Sequence, residues 1–154
     1  METVSELPVG VFDSGVGGIS VLKELYRLLP NENYLFYGDS ANAPYGTRST
    51  EDVRQLSFAV TKKLLKKKIK ALVIACNTAT SAAVKQIRAR YPQLPVVGLE
   101  PAIKPAVEQF PHQKIAIMAT PLTLREEKLQ KLFVRYQNSA ELFKVPAPQL
   151  VEYV

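Results

Sequence analysis

The single cysteine of this 154-residue chain stands where an apolar segment ends. Residues 71–76 are apolar throughout and predict a buried strand, and Asn77, Thr78 and Thr80 follow it before a predicted helix. Backbone N–H groups and the dipole at a helix N-terminus favour a thiolate, so this position predicts a reactive Cys76 with a lowered pKa. Asn77 and Thr78 offer hydrogen bonds to a carboxylate or an oxyanion. The alternative is an inert packing thiol, the usual role of a cysteine in an apolar strand.

The chain limits the groups that can act together with this thiol. A cysteine hydrolase uses a histidine base, but the only histidine, His112, precedes a predicted strand and so lies near the amino end of its sheet. One cysteine and one histidine do not make a metal-ligand set. The sequence therefore favours a Cys76 thiolate that accepts a proton, or a nucleophile that acts without histidine.

A glycine-rich turn, Asp13-Ser14-Gly15-Val16-Gly17-Gly18, is the second candidate site. Its spacing differs from the dinucleotide fingerprint, and it contains no lysine, which excludes a P-loop. A carboxylate at the mouth of the turn repels phosphate and attracts an ammonium group, so Asp13 and Ser14 suit an amino acid better than a nucleotide. The alternative is a tight turn in which Asp13 caps the next helix.

Two weaker candidates lie in other loops. In Pro44-Tyr45-Gly46 a tyrosine hydroxyl and a glycine N–H could close over a small ligand, although proline and glycine also form plain turns. Thr120 ends a predicted strand in the second half of the chain. Its simpler role is to cap the helix that follows Pro121.

Strands and helices alternate along the first part of the chain. Apolar runs predict strands at 9–12, 34–37, 71–76 and 95–98, with helical periodicity between them. The order βαβαβαβ implies a parallel sheet that is covered on both faces. In such sheets ligands bind beyond the carboxyl ends of the strands, which is where the loops DSGVGG, YGDSANAPYG and CNTATS leave the predicted sheet.

The alternation restarts after residue 98. Helical patterns at 103–110 and 129–136 are interleaved with predicted strands at 114–119 and 142–145. We therefore predict two Rossmann-like, doubly wound α/β units, residues 1–98 and 99–154, with the second unit incomplete. Two strands are too few for a stable open sheet, so we expect this chain to be the front part of a longer protein.

The composition excludes several classes of protein. The hydrophobic share of 47% and charged share of 22% are those of a globular protein, and the longest apolar run, residues 71–76, is too short to span a membrane. The N-terminus has no apolar signal region, and one cysteine fits a reducing, cytoplasmic location. Six lysines in residues 62–70 account for the net charge of +6. Apolar residues at helical spacing in the same stretch indicate a solvated helix face rather than a nucleic-acid-binding patch.

Three segments taken together, GVFDSGVGGISVLKEL, YGDSANAPYGTRS and VIACNTATSAA, closely resemble the glutamate racemases, enzymes that supply precursors of the bacterial cell wall. The resemblance implies interconversion of L- and D-glutamate for peptidoglycan synthesis without a cofactor or a metal. Two cysteines face opposite sides of the substrate Cα in this family. One removes the α-proton, and the other returns a proton from the far side. We expect the full-length protein to be a cytoplasmic homodimer with no membrane partner, and a nucleic-acid partner is not expected.

The resemblance also assigns roles to individual residues. Cys76 is the first of the two cysteines, while Asp13 and Ser14 hold the substrate amino group and Asp13 assists the thiol. Further substrate contacts are assigned to Tyr45, Gly46, Asn77, Thr78 and Thr120. Glu152 resembles an acidic residue of the second half of the active site.

The family's second cysteine, in a G-C-T-H segment, is not among these 154 residues. We therefore expect the chain by itself not to racemise glutamate. The alternative from another class of function is a non-catalytic lobe that binds a carboxylic amino acid.

Overall fold

The computed structural model describes residues 4–150, which form two parallel sheets with flanking helices. The strands are β1 (Val9–Asp13), β2 (Tyr34–Gly38), β3 (Ala71–Ile74), β4 (Val96–Gly98), β5 (Lys114–Ala119) and β6 (Glu141–Pro146). The helices are α1 (Gly18–Leu28), α2 (Thr50–Leu65), α3 (Asn77–Arg90), α4 (Ile103–Gln109), α5 (Pro121–Arg125) and α6 (Glu127–Tyr136). Short 3-10 turns occupy Val4–Glu6 and Ser40–Asn42.

The first sheet has the strand order β2-β1-β3-β4, and all of its neighbouring strands are parallel. The predicted βαβαβαβ order is therefore confirmed, although β3 ends at Ile74, two residues earlier than expected. The chain passes from β2 back across β1 to β3, so the connections from β1 and from β3 leave in opposite directions. The carboxyl ends of β1 and β3 lie side by side at this switch point, where ligands of doubly wound sheets bind.

The helix α2 begins and ends at definite signals. The Asp52 N–H donates to the Ser49 hydroxyl oxygen at 3.1 Å, so Ser49 caps α2 as its sequence position predicts. The lysine-rich run was predicted to form one helix face, and this is correct only for Lys62 and Lys63. The helix stops at Leu65, and residues 66–68 turn sharply, with Lys68 at a φ of 56°. Buried Ile69 then leads the chain into β3.

The second sheet consists of β5 and β6, which pair in parallel and confirm the predicted strands. One face of this sheet packs on α4 and α6 around a small apolar cluster that includes Ile103, Val107, Ile117 and Leu129. The mixed α/β class with parallel sheets is confirmed. The division into domains at residue 98 stays a prediction. Within residues 4–150, no helix is both long enough and apolar enough to cross a membrane.

Candidate active site

Asp13 is the last residue of β1, and its side chain is buried. One carboxylate oxygen accepts a hydrogen bond from the Gly15 N–H at 3.1 Å. The alternative role of Asp13 as a helix cap is wrong, because α1 begins at Gly18 behind Gly17, without a side-chain cap. A Cβ at Gly18 would lie 2.6 Å from the Asp13 Cβ, so glycine allows the helix to start this close to the carboxylate.

Cys76 is the N-cap residue of α3, two residues beyond the end of β3. Its sulfur accepts a hydrogen bond from the Ala79 N–H at 3.4 Å, and its thiol donates to the Ser14 hydroxyl at 3.5 Å. The contact with Ser14 brings the glycine-rich turn after β1 and the thiol after β3 to one point. The sequence placed both groups on the same edge of the sheet, and the structure brings them into contact.

The predicted direction of the Cys76 pKa shift is wrong. Burial raises the pKa of the Cys76 thiol, and the negative charge of Asp13 raises it further. Hydrogen bonding with Ser14 and the hydrogen bond from the Ala79 N–H lower the pKa but do not offset burial. Burial dominates because only 7% of this residue is exposed to water. The thiol is therefore protonated at neutral pH.

Tyr45 is also buried, and its hydroxyl already has a partner. The Tyr45 hydroxyl donates to the Asp39 carboxylate at 2.7 Å. Burial and this hydrogen bond raise the pKa of Tyr45 well above its usual range. The proton of the hydroxyl is thus held by Asp39, and the contact of Tyr45 with a ligand stays a prediction. Asp39 was not singled out from the sequence, because it stands in a segment that reads as an ordinary polar loop.

Gly46 and Thr120 bring the first and second halves of the chain together. A Cβ at Gly46 would lie 2.7 Å from the Thr120 Cβ, so this loop packs closely against the second half of the chain. Thr120 caps α5 as predicted, since its hydroxyl oxygen accepts the Thr123 N–H at 3.3 Å.

Three threonine hydroxyls meet beside this contact. The Thr78 oxygen lies 3.2 Å from that of Thr120 and 3.3 Å from that of Thr123, and the Thr120 hydroxyl donates to Thr123 at 3.0 Å. The group connects the start of α3 to the start of α5. Thr123 was not predicted, because its sequence neighbours give no sign of a partner 45 residues away.

Three candidate residues remain. Asn77 is exposed in the first position of α3, beside Cys76. His112 is exposed in the loop before β5, as predicted. Glu152 lies outside the described residues. Between residues 4 and 150 no three or more His, Cys, Asp or Glu side chains are grouped so that they could hold a metal ion.

A thiol, a carboxylate and several hydroxyls thus converge at the carboxyl ends of β1 and β3 in a parallel α/β protein. The family model described as Asp/Glu/Hydantoin racemase matches residues 9–152, so the chain belongs to that family.

Individual relatives agree with this family and with the predicted resemblance. The chain is 57% identical to the glutamate racemase of Clostridium acetobutylicum over 152 residues, which cover 99% of this chain and 59% of that protein. It therefore spans about three fifths of the length of this relative.

Solved structures show the same similarity. Glutamate racemase from Thermus thermophilus in complex with beta-chloro-D-alanine is 37% identical, with a TM-score of 0.76 over 97% of this chain and 55% of that one. The Escherichia coli glutamate racemase in complex with L-glutamate and the activator UDP-MurNAc-ala is 31% identical, with a TM-score of 0.85 over 95% of this chain and 55% of that one.

Proposed function

We propose that this chain forms one half of a glutamate racemase active site and that Cys76 transfers the α-proton on one face of the substrate. The observation that carries the proposal is the 3.5 Å contact of the Cys76 thiol with Ser14, beside Asp13, at the shared carboxyl edge of β1 and β3. Membership of the racemase family supports the reaction class, and the printed names of the relatives support glutamate as the substrate.

The polar groups around the thiol fit the parts of an amino acid. The Asp13 carboxylate attracts the ammonium group, and the Ser14 hydroxyl offers it a further acceptor. Asn77 and Thr78, at the N-terminus of α3, fit the α-carboxylate, because free N–H groups and the helix dipole favour an anion there. Thr120 lies beside Thr78, and the loop of Tyr45 and Gly46 packs against Thr120.

Binding of the substrate activates the thiol. Burial raises the pKa of Cys76 and the Asp13 charge raises it further, and an ammonium group bound at Asp13 offsets that charge. The pKa of the thiol then falls, and Asp13 can accept its proton. The thiolate takes the proton from Cα as a general base. A sulfur–hydrogen bond forms, the carbon–hydrogen bond breaks, and its electron pair passes into the α-carboxylate.

Inversion needs a second acid on the opposite face of Cα. This chain has one cysteine, and the family resemblance supplies the other from a segment that is not among these residues. We therefore expect the 154 residues alone to exchange the α-proton on one face at most, without racemisation.

Several finer assignments belong to the same proposal. We expect the full-length enzyme to be a cytoplasmic homodimer that uses no cofactor. We expect it to make D-glutamate for peptidoglycan precursors. We also propose that residues 1–98 form one domain and that residues 99–154 begin a second.

Exchange of the α-proton for deuterium tests the proposal. Glutamate is incubated with the chain in heavy water, the Cα–H signal is followed by NMR, and configuration is followed by circular dichroism. We expect slow exchange with retained configuration, and we expect Cys76→Ser to abolish it. Racemisation by the 154-residue chain, or exchange that persists in Cys76→Ser, would contradict the assignment.

Calorimetry with D- and L-glutamate separates this function from a non-catalytic binding lobe. Both functions predict that Asn77→Ala weakens binding. If binding is unaffected by Cys76→Ser and no α-proton exchange occurs in the unaltered chain, the binding lobe is favoured.

A further inference from the structure

The loop between β2 and α2 holds a buried carboxylate that the proposed mechanism does not use. Asp39 is 4% exposed, a degree of burial that is rare for a carboxylate because removing its charge from water is unfavourable. Such a group persists when the surrounding structure holds it with hydrogen bonds. A carboxylate in a solvated loop would need no such partners, so the burial of Asp39 beside the site indicates a structural role.

The backbone and side chain of Asp39 both make hydrogen bonds. Its N–H donates to the Asp13 carbonyl at 2.9 Å, and its carbonyl accepts the Asn42 N–H at 2.9 Å. Its carboxylate accepts the Tyr45 hydroxyl at 2.7 Å and the Asn42 side-chain amide at 3.1 Å from each oxygen. Asp39 is therefore fixed to the end of β1 on one side and to the following loop on the other.

Tyr45 links this loop to the buried interior that contains the thiol. Tyr45 and Cys76 belong to one buried apolar cluster, in which Tyr45 is 1% exposed and Cys76 is 7% exposed. The next residue, Gly46, packs against Thr120 without room for a side chain. A shift of Tyr45 would therefore disturb both the cluster in which the thiol is buried and the contact with the second half of the chain.

We propose that Asp39 is a positioning residue, whose carboxylate holds Tyr45 in the buried cluster that contains the Cys76 thiol and holds Gly46 against Thr120. The inference rests on the proposed function, because it assigns Asp39 a part in shaping the site of Cys76. Asp39 acts through Tyr45 and not on the substrate. A hydrogen bond to a carboxylate is roughly twice as strong as one between neutral groups, which suits a residue that must hold a loop closed.

The rate at which iodoacetamide alkylates Cys76 tests the proposal directly, since this chain has one thiol. Asp39→Asn keeps the shape of the side chain but removes its charge, and Tyr45→Phe removes the hydroxyl that Asp39 holds. We expect each change to speed alkylation about tenfold, because a charge-assisted hydrogen bond no longer opposes opening of the loop. The double variant should be no faster than either single one, since both remove the same contact.

Titration of tyrosine absorbance at alkaline pH gives a second readout. Asp39→Asn should lower the pKa of Tyr45, so one tyrosine should ionise at a lower pH than in the unaltered chain. Comparison with the Asp39→Asn, Tyr45→Phe double variant identifies that tyrosine. A general loosening of the fold would change several tyrosines together and would not be removed by Tyr45→Phe.

Glu108→Gln is the matched control, because it removes an exposed acid on α4 and should leave the alkylation rate unchanged. Unchanged alkylation in folded Asp39→Asn, or additive effects in the double variant, would overturn the inference. If circular dichroism shows that Asp39→Asn does not fold, Tyr45→Phe decides: faster alkylation supports the proposal, and an unchanged rate refutes it.

These measurements need no glutamate, so the two proposals can fail separately. A chain that shows the expected alkylation rates but neither binds glutamate nor exchanges its α-proton would refute the proposed function and leave the positioning role standing. The reverse result would refute the positioning role alone.

Discussion

The two sheets of this protein differ sharply in how well they are covered. In the first sheet the central strands β1 and β3 are buried along nearly their whole length. In the second sheet one face packs on α4 and α6, while Met118 and Phe143 on the other face are 59% and 42% exposed. The first sheet has the protected interior expected of parallel strands, and the second has it on one side.

The chemistry of the proposed site follows this difference. Asp13 and Cys76 stand at the ends of the two best-buried strands, where neighbours on both sides fix the backbone. Among the described residues, the second half of the chain contributes threonine hydroxyls at the start of α5. We infer that the reacting groups among the described residues sit on the more rigid side of the site, and that its threonine hydroxyls join that side to the less well covered second sheet.

Core truncation is expected to produce the largest contrast between the two sheets. Phe12 on β1 is fully buried, so Phe12→Ala should lower the free energy of unfolding by about 3–5 kcal/mol through lost burial and a cavity. Phe143→Ala on the exposed face of β6 should change it by about 0.5 kcal/mol. Urea unfolding followed by circular dichroism measures both. Equal losses would show that the exposed face is as important to the fold as the first core.

A smaller effect is expected where the two halves meet. Gly46→Ala places a methyl group against Thr120, and the resulting overlap should lower the free energy of unfolding by about 1–3 kcal/mol. Thr120→Ser removes the methyl group in the way and keeps the hydroxyl that caps α5. Adding this change should restore part of the loss. No recovery in the double variant would mean that the strain lies within the loop and not between the halves.

Alkaline pH should destabilise the first unit through its buried thiol. The pKa of Cys76 is raised above the ordinary value of 9.0, so the folded thiol stays protonated where the unfolded one ionises. Its contribution to stability is complete below that ordinary value and is lost as pH rises, by at most about 1.4 kcal/mol per pH unit. Urea unfolding at about pH 8 and about pH 10 measures how far the free energy of unfolding falls between the two, and this fall should be smaller in Cys76→Ser than in the unaltered chain. An identical fall in both proteins would contradict the raised pKa.

Sequence patterns predicted what depends on strands and their ends. Apolar runs that stop at Asp13 and before Asn77 were enough to place a carboxylate and a thiol on one edge of a parallel sheet. Because parallel strands end on the same edge of a sheet, the two groups were expected to lie close together. The contact between Cys76 and Ser14 agrees with this expectation.

Features that depend on burial and on distant contacts were not predictable. The sign of the Cys76 pKa shift was wrong, because the helix N-terminus is visible in sequence while the depth of the thiol is not. Asp39 is buried where Tyr45 folds back onto it, and Thr123 meets Thr78 only where α5 packs on α3. No local pattern encodes either contact.

The weakest predicted effect tests the hydroxyl contact between the two halves. Thr123→Val replaces the hydroxyl with a methyl group of similar size, and it should lower the free energy of unfolding by about 0.5–1.5 kcal/mol. Thr123→Ser keeps the hydroxyl and is the matched control for loss of the hydrogen bond. Because Thr78 and Thr120 can still pair with each other at 3.2 Å, the penalty should stay near the lower end.

The location of the lost stability in Thr123→Val is more informative than its size. Thr123 joins α5 to α3, so Thr123→Val should speed amide hydrogen exchange in β5 and β6 while β1 and β3 keep their protection. Thr80→Val removes a hydroxyl that donates to the Ile74 carbonyl within the first unit, and it should affect β3 instead. If Thr123→Val sped exchange equally in both sheets, the halves would unfold as one cooperative unit. The inferred difference in rigidity between the first and second sheets would then be wrong.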